Sequence, residues 1–190
     1  MIQEVRMETL TAIMKRRSVR KFTEDYITDD EIRQLLEAAR WAPSWANTQT
    51  WEFIVVRDPE LIAQVTDTYS ERNPARKCSA AATAIIVCCA QTGIAGIKEG
   101  NAVTKFESWY MFDCGLAVQN ICLRAHDLGI GTVIVGSMNH EQCRKIMNLP
   151  QGHEVIVTIP LGKPAVTAKE GPPRKEQKDF VYKNRYGTSF

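Results

Sequence analysis

The sequence predicts an α+β fold, and three observations carry that expectation. Helix-like and strand-like segments follow one another without the regular βαβ alternation of a doubly wound sheet. Two runs, Trp51 to Arg57 and Ala81 to Ala90, read as buried strands. A third segment, Glu107 to Leu128, places apolar residues in nearly every direction around a helix axis, so it belongs at the centre of the protein or in an interface. With 190 residues, 44% of them hydrophobic, the chain can bury roughly 70% of the surface that its unfolded form exposes. One domain over residues 1–190 is expected.

Each element has a local cause. Thr9 to Lys15 reads as a first helix, ended by the run Arg16-Arg17-Ser18-Val19-Arg20. Thr28-Asp29-Asp30-Glu31 is a capping box, in which the Thr28 hydroxyl accepts from a first-turn amide and Glu31 reaches back. Ile32, Leu35, Leu36 and Ala39 then recur at helical spacing, giving an amphipathic helix over 29–40 that stops near Pro43. After the first strand, Asp58-Pro59 opens a helix with an Asp cap and proline at the first helical position. Between Gln91 and about Thr104, three glycines and Asn101 interrupt both periods, so a mobile loop is expected, with a lid as one role for it. Gly129 ends the long helix. Thr132 to Val135 is a buried strand, Asn139 caps a short helix, and Glu154 to Leu161 is the last strand. Past Gly162-Lys163-Pro164 the chain turns polar, yet Phe180, Val181, Tyr182 and Tyr186 are too many large side chains for plain disorder. This tail is expected to pack on another surface, a partner subunit being one candidate.

The totals exclude several functions. A formal charge of +2, from 24 basic and 22 acidic residues, gives no general attraction to nucleic acid or anionic membrane, so positive charge acts only through local clusters such as Lys15 to Lys21. Glu4, Arg6, Glu8 and Lys15 interrupt the first residues and leave no apolar core of a secretory leader, and the longest apolar run, Ala84 to Ala90, is too short for a bilayer. A cytoplasmic protein is expected. The six cysteines sit mostly in apolar patterns, as buried reduced thiols do. His140 and Cys143 have the spacing of half a zinc site, but no second pair accompanies them, and no metal is expected. Gly129-x-Gly131 follows a helix and precedes a strand, the reverse of a dinucleotide-binding turn. Neither a Walker sequence nor a G-x-S-x-G turn is present. Any chemistry would therefore fall to a bound cofactor.

Two stretches ask for more than folding. Ser44 to Trp51, SWANTQTW, puts two tryptophans, an Asn and a Gln into a short connection, where turn residues and water-facing groups would suffice. Either the loop is simply packed or a flat molecule with polar edges lies against it. In the basic run, cations at a helix C-terminus account for Lys15 and Arg16. Ser18 and Arg20 lie beyond the helix, and guanidinium forks with a hydroxyl are groups that hold a phosphate.

RRSVRKF at 16–22, APSWANTQTWEF at 42–53, DCGLAVQN at 113–120, GIGTVIVG at 129–136 and LGKP at 161–164, taken in that order, resemble the successive motifs of the FMN-dependent nitroreductase family. The likeness spans about residues 10–187. It implies a nitroreductase-like fold: a central mixed or antiparallel sheet flanked by helices, with a long buried central helix. It further implies a homodimer with two FMN sites at the subunit interface, the tail of about 165–190 packing on the partner. In that site Arg16, Arg17 and Ser18 would hold phosphate and ribityl, and Arg20 would face the N1 and O2 end of the ring. Asn47 would bond the pyrimidine edge with Gln49 beside it, while Pro43, Ser44 and Trp45 would reach the flavin held by the other subunit. Gly136 and the amide of Ser137 would lie near N5. Arg174 matches a late phosphate-binding arginine, although by itself it reads equally as a solvated charge. Trp51 reads as core packing, Gln119 as a polar group satisfying neighbouring backbone, and Asp113 and Gly115 as helix packing.

The activity implied is an FMN-dependent oxidoreductase that passes hydride from NAD(P)H through flavin N5 to an electron-poor acceptor such as a nitroaromatic or quinone. Reductive dehalogenation, flavin fragmentation and flavin binding without turnover are the alternatives. Three positions depart from the family pattern. Thr50 stands where proline is usual, Val135 where many members carry Glu, and Pro172 where a Lys precedes the late arginine by two residues. The first two bear on the substrate side of the site, the third on the phosphate grip.

Overall fold

A computed structural model describes residues 8–166 and 170–190. The first seven residues, Glu4 and Arg6 among them, and residues 167–169 of the tail lie outside the described residues. In chain order the elements are α1 (Thr9–Lys15), α2 (Asp29–Arg40), β1 (Trp51–Val56), α3 (Pro59–Asp67), α4 (Arg76–Ala80), β2 (Ala84–Gln91), β3 (Ile97–Lys98), β4 (Asn101–Ala102), α5 (Trp109–Asp127), β5 (Gly131–Thr132), α6 (His140–Ile146) and β6 (His153–Gly162), with short 3₁₀ turns at Trp45–Asn47 and Gln177–Asp179.

The main sheet has the order β1-β2-β6-β5, and its named strands pair antiparallel throughout. Strand β2 explains why one run of sequence is apolar at every position. Ala84, Ile86, Cys88 and Ala90 face a core shared with α2 and α5, while Ile85, Val87 and Cys89 face a second core with α3, α4 and α6. Helices thus cover both faces of an antiparallel sheet, and the expected α+β class holds. All six cysteines are buried free thiols.

The caps form as read. Thr28 and Glu31 make the reciprocal capping box, Asp58 Oδ1 accepts from the amides of Glu60 and Leu61, and Asn139 Oδ1 accepts from Gln142. Boundaries move where tertiary contacts compete. The strand expected from Ala81 begins at Ala84, because residues 76–80 close a helical turn first. The strand expected over 132–135 pairs only at Gly131–Thr132, with one further bridge from Val135 to Thr158, and Ile134 is turned outward. Between Gln91 and Thr104 the chain forms the β3–β4 hairpin, whose turn residues Glu99 and Gly100 both have positive φ, as a type I′ turn requires.

Helix α5 buries Cys114, Ala117, Val118, Ile121, Cys122 and Ala125 against the sheet. Near its start, Met111 and Phe112 are exposed. The apolar surround of this helix therefore divides into a core face and a bare face. Gln119 is exposed and does not reach neighbouring backbone; Asn120 does so instead, donating to the Ala38 carbonyl at 3.1 Å.

Three of the sequence motifs prove to be one structural unit. The chain after α1 runs between β5 and the residues beyond β6: Val19 N donates to Thr132 O at 2.9 Å, Thr23 N to Lys163 O at 2.9 Å, and Ala165 N to Lys21 O at 3.0 Å. This threading needs glycine on both sides. A Cβ at Gly131 would stand 2.9 Å from Val19 side-chain carbons, and one at Gly162 would stand 2.3 Å from Phe22 Cγ.

Candidate functional site

The basic run leaves α1 at Arg16, whose backbone is extended (φ −56, ψ 134). Arg17 Nη1 donates to the carbonyls of Met14 and Arg16 at 2.6 and 2.8 Å, which places a cation on the free carbonyls of the helix end. Arg16, Arg17, Ser18 and Arg20 then line one cleft of about 760 Å³ together with Arg174 from the tail. Among the described residues none of these four arginines is paired with a carboxylate. Arg17 Nε is buried and has no acceptor there, an arrangement that costs stability until an acceptor arrives. The tail lies directly on this guanidinium, since a Cβ on Gly171 would come within 2.7 Å of Arg17 Nε. Glu170 also lines the cleft. In an adjoining cleft that shares Arg16 and Arg17, burial first and Arg16 next hold His126 below the usual imidazole range. The charge, the donor count and the unpaired guanidiniums suit a phosphate group.

The loop after α2 is built differently. Ala46, Asn47 and Gln49 all have positive φ, at 44°, 57° and 49°, which costs roughly 1–2 kcal/mol for each residue that is not glycine, least for Asn. Two side chains hold it there. Ser44 Oγ accepts from Gln49 N at 3.0 Å, and both carboxylate oxygens of Asp113 accept from Trp45 N, at 3.0 and 3.1 Å. Asp113 is 1% exposed, and burial pushes its carboxyl above the usual range against the pull of the Trp45 amide. Around this point the aromatic rings gather. Trp45 lies 4.8 Å from Trp109, and Trp109 packs edge-on against Phe112 and Phe106 at 5.9 and 6.1 Å. Trp109 Nε1 donates to Thr104 Oγ1 at 2.8 Å, tying the chain beyond the hairpin to α5. Pro43, Ser44 and Trp45 line a small cleft of about 210 Å³ with Trp109, Phe112 and Asp113.

Of the residues singled out in the sequence, Arg16, Arg17, Ser18, Arg20 and Arg174 come together. Pro43, Ser44 and Trp45 line a separate cleft within the same chain. Asn47 and Gln49 are exposed on the strained loop. Gly136 and Ser137 are exposed at a third place, where the Ser137 carbonyl accepts from Ser70 N, Ser70 Oγ and Asn73 Nδ2 at 3.1, 3.1 and 3.2 Å. Trp51 packs against the core. Sequence reasoning missed Trp109 and Phe112 because they sit in a segment apolar at nearly every turn, where a wall residue and a core residue look alike. It set Asp113 aside as packing. The signal was an acid in the apolar first turns of the helix, a residue rarely buried without a partner.

Comparison with known proteins supplies the remaining observation. A sequence model described as the Nitroreductase family matches residues 13–163. A protein of Archaeoglobus fulgidus with the provisional name NADH dehydrogenase/NAD(P)H nitroreductase is 33% identical over 177 residues, covering 91% of this chain and 89% of its own. Among solved structures, a nitroreductase family protein of Clostridium novyi NT superposes with a TM-score of 0.76 at 28% identity, over 97% of each chain. An FMN-dependent nitroreductase of Clostridium difficile R20291 does so at 0.77 and 25%, over 93% of this chain and 99% of its own. The match runs from α1 through β6 and so takes in the arginine segment, the strained loop and the glycines that thread them together: this chain belongs to the nitroreductase family.

Proposed function

We propose that the protein is an FMN-dependent oxidoreductase that takes electrons from NAD(P)H and gives them to a planar, electron-poor acceptor such as a nitroaromatic or quinone. Membership of the family makes it an oxidoreductase of the NAD(P)H nitroreductase type, and the observation that carries the cofactor is the arginine cleft. Four guanidiniums and the Ser18 hydroxyl line it, and an unsatisfied Arg17 Nε lies buried beside it; this donor set fits a phosphate monoester. FMN, when bound, supplies the two-electron chemistry that no side chain here provides.

The chain's own residues then have binding and positioning work. Arg16, Arg17, Ser18 and Arg174 hold the phosphate end. Arg20 offers a fixed positive charge to the N1 and O2 edge, which favours the anionic reduced form. Asn47 and Gln49 offer amide groups to the pyrimidine edge, and Gly136 with the Ser137 amide stands toward N5. Pro43, Ser44 and Trp45 lie in a different cleft from the arginines of their own chain, which supports their serving the flavin of a second subunit. The homodimer this requires has surface to use: Leu10, Ile13, Met14, Met111, Phe112 and, in the tail, Phe180 and Tyr186 are exposed. Residues 1–190 form one FMN-binding domain in this reading, with the tail on the partner. The setting is the cytoplasm, where buried thiols stay reduced; among the described residues no helix is long and apolar enough to cross a membrane.

The purified protein should be yellow, should bleach when NAD(P)H is added without oxygen, and should regain its colour with menadione or nitrofurazone. A yellow protein that NAD(P)H fails to bleach defeats the reductase reading, and a colourless protein that takes up no added FMN defeats the cofactor. Sedimentation should show a dimer; a monomer that retains FMN defeats the shared site.

A further inference from the structure

We propose that Asp113 is the positioning residue of the 44–49 loop, acting through its two hydrogen bonds to the Trp45 amide. The inference deepens the reading above and rests on it, since the loop is taken there as part of the flavin and acceptor site.

Three observations point to Asp113. The loop stores unfavourable backbone at Ala46, Asn47 and Gln49, so outside contacts must determine its shape. Asp113 is buried in α5, and among the described residues the Trp45 amide is its one hydrogen-bonding partner. An apolar side chain would fill the same volume without the cost of burying a carboxylate. A buried carboxyl group devoted to one amide 68 residues away therefore does something that packing does not need. It holds the first residue of the strained turn, while Ser44 Oγ holds the far end at Gln49. Trp45 is in ring contact with Trp109, so the same bond sets the aromatic wall on the loop side. Asp113 borders the cleft that Trp45 lines but is 1% exposed, and it works through Trp45.

Three variants separate positioning from packing: Asp113→Asn keeps one acceptor oxygen, Asp113→Leu keeps the volume without an acceptor, and Asp113→Ala keeps neither. Hydrogen–deuterium exchange over residues 43–50 of the purified protein should rise about tenfold in the Leu and Ala variants and less than about threefold in the Asn variant. Catalytic efficiency toward menadione should fall tenfold or more in Leu and Ala and recover in Asn, while the melting temperature of the Leu variant equals or exceeds that of the wild type. A stable Leu variant with wild-type loop exchange and wild-type KM for menadione overturns the proposal. So does a folded Asn variant that is as impaired as Ala, and this comparison stands even if the Leu variant does not fold. Loop exchange needs no bound flavin, so a colourless wild type would defeat the functional reading while leaving the exchange test standing.

Discussion

Segment 16–23 is held by backbone, with Val19 and Thr23 donating to Thr132 and Lys163 at 2.9 Å on its two sides. Loop 44–49 is held by side chains, Asp113 at one end and Ser44 at the other. The first arrangement lets side chains vary freely except where glycine must admit the passing chain. It gives the arginines a base anchored on both sides by backbone hydrogen bonds. The second depends on two particular residues to keep its backbone at positive φ. Electrostatics divides the same way. Beside the threaded segment, burial works to raise the Glu31 carboxyl, but bonds from Lys163 and Thr28 outweigh it and leave the group below the usual range. Beneath the loop, burial prevails and Asp113 lies above it. One carboxylate is stabilised in its charged form, while the charged form of the other is disfavoured by burial.

Breaking the threaded side has the largest expected effect. Gly162→Ala drives a Cβ into the root of the Phe22 side chain, for which overpacking of about 3 kcal/mol is expected, a fall of roughly 6–12 °C in melting temperature for a domain of this size. Calorimetry checks it, and adding Phe22→Ala should recover part of the loss. The equivalent strike on the cleft is Arg17→Ala. It should weaken FMN binding by about 100-fold, roughly 2.7 kcal/mol, read by fluorescence titration of the apo protein, with a change of only a few degrees in melting temperature. If both variants lost stability equally and neither lost flavin, the threaded segment would be scaffold alone.

The smallest effect concerns pH. Glu31 is lowered in the folded protein, so its contribution to stability is complete above the ordinary carboxylate range and is lost as pH falls through its lowered value. Its partner Lys163 lies 2.5 Å away, and both side chains are partly buried. Glu31→Gln should cost roughly 1 kcal/mol at pH 7, and the gap from wild type should close on acidification toward pH 3, measured by urea unfolding at each pH. A gap that stays constant with pH would mean that Thr28 capping, rather than charge, is the source.

Much of the fold is readable in advance because its causes are local. A capping box, an Asp-Pro helix start and a glycine after a helix act within four residues, and Thr28, Asp58 and Asn139 all cap as read. The hairpin after Gln91 is harder to see. Its turn places Glu99 and Gly100 at positive φ, and a glutamate gives no sign of that conformation, so only Gly100 marks the spot.

The rest was decided by contacts between distant parts of the chain. Nothing in the helical pattern of α5 tells Gln119 from Asn120, and only the packing of α2 turns the second inward to Ala38. Ile134 reads as a strand residue until β6 pairs with its neighbours and leaves it outside. By itself, then, the amino-acid order determined the capped helices, the two-faced central strand and the arginine cluster, because these follow from periodicity, capping and adjacent charge, while the short helix α4 was not marked in it. Tertiary structure alone decided that Arg174 joins Arg16 and Arg17, that Phe22 lies on Gly162, and that Asp113 holds Trp45. Each of these joins residues far apart in sequence, and such a contact has no energy until the chain has closed around it.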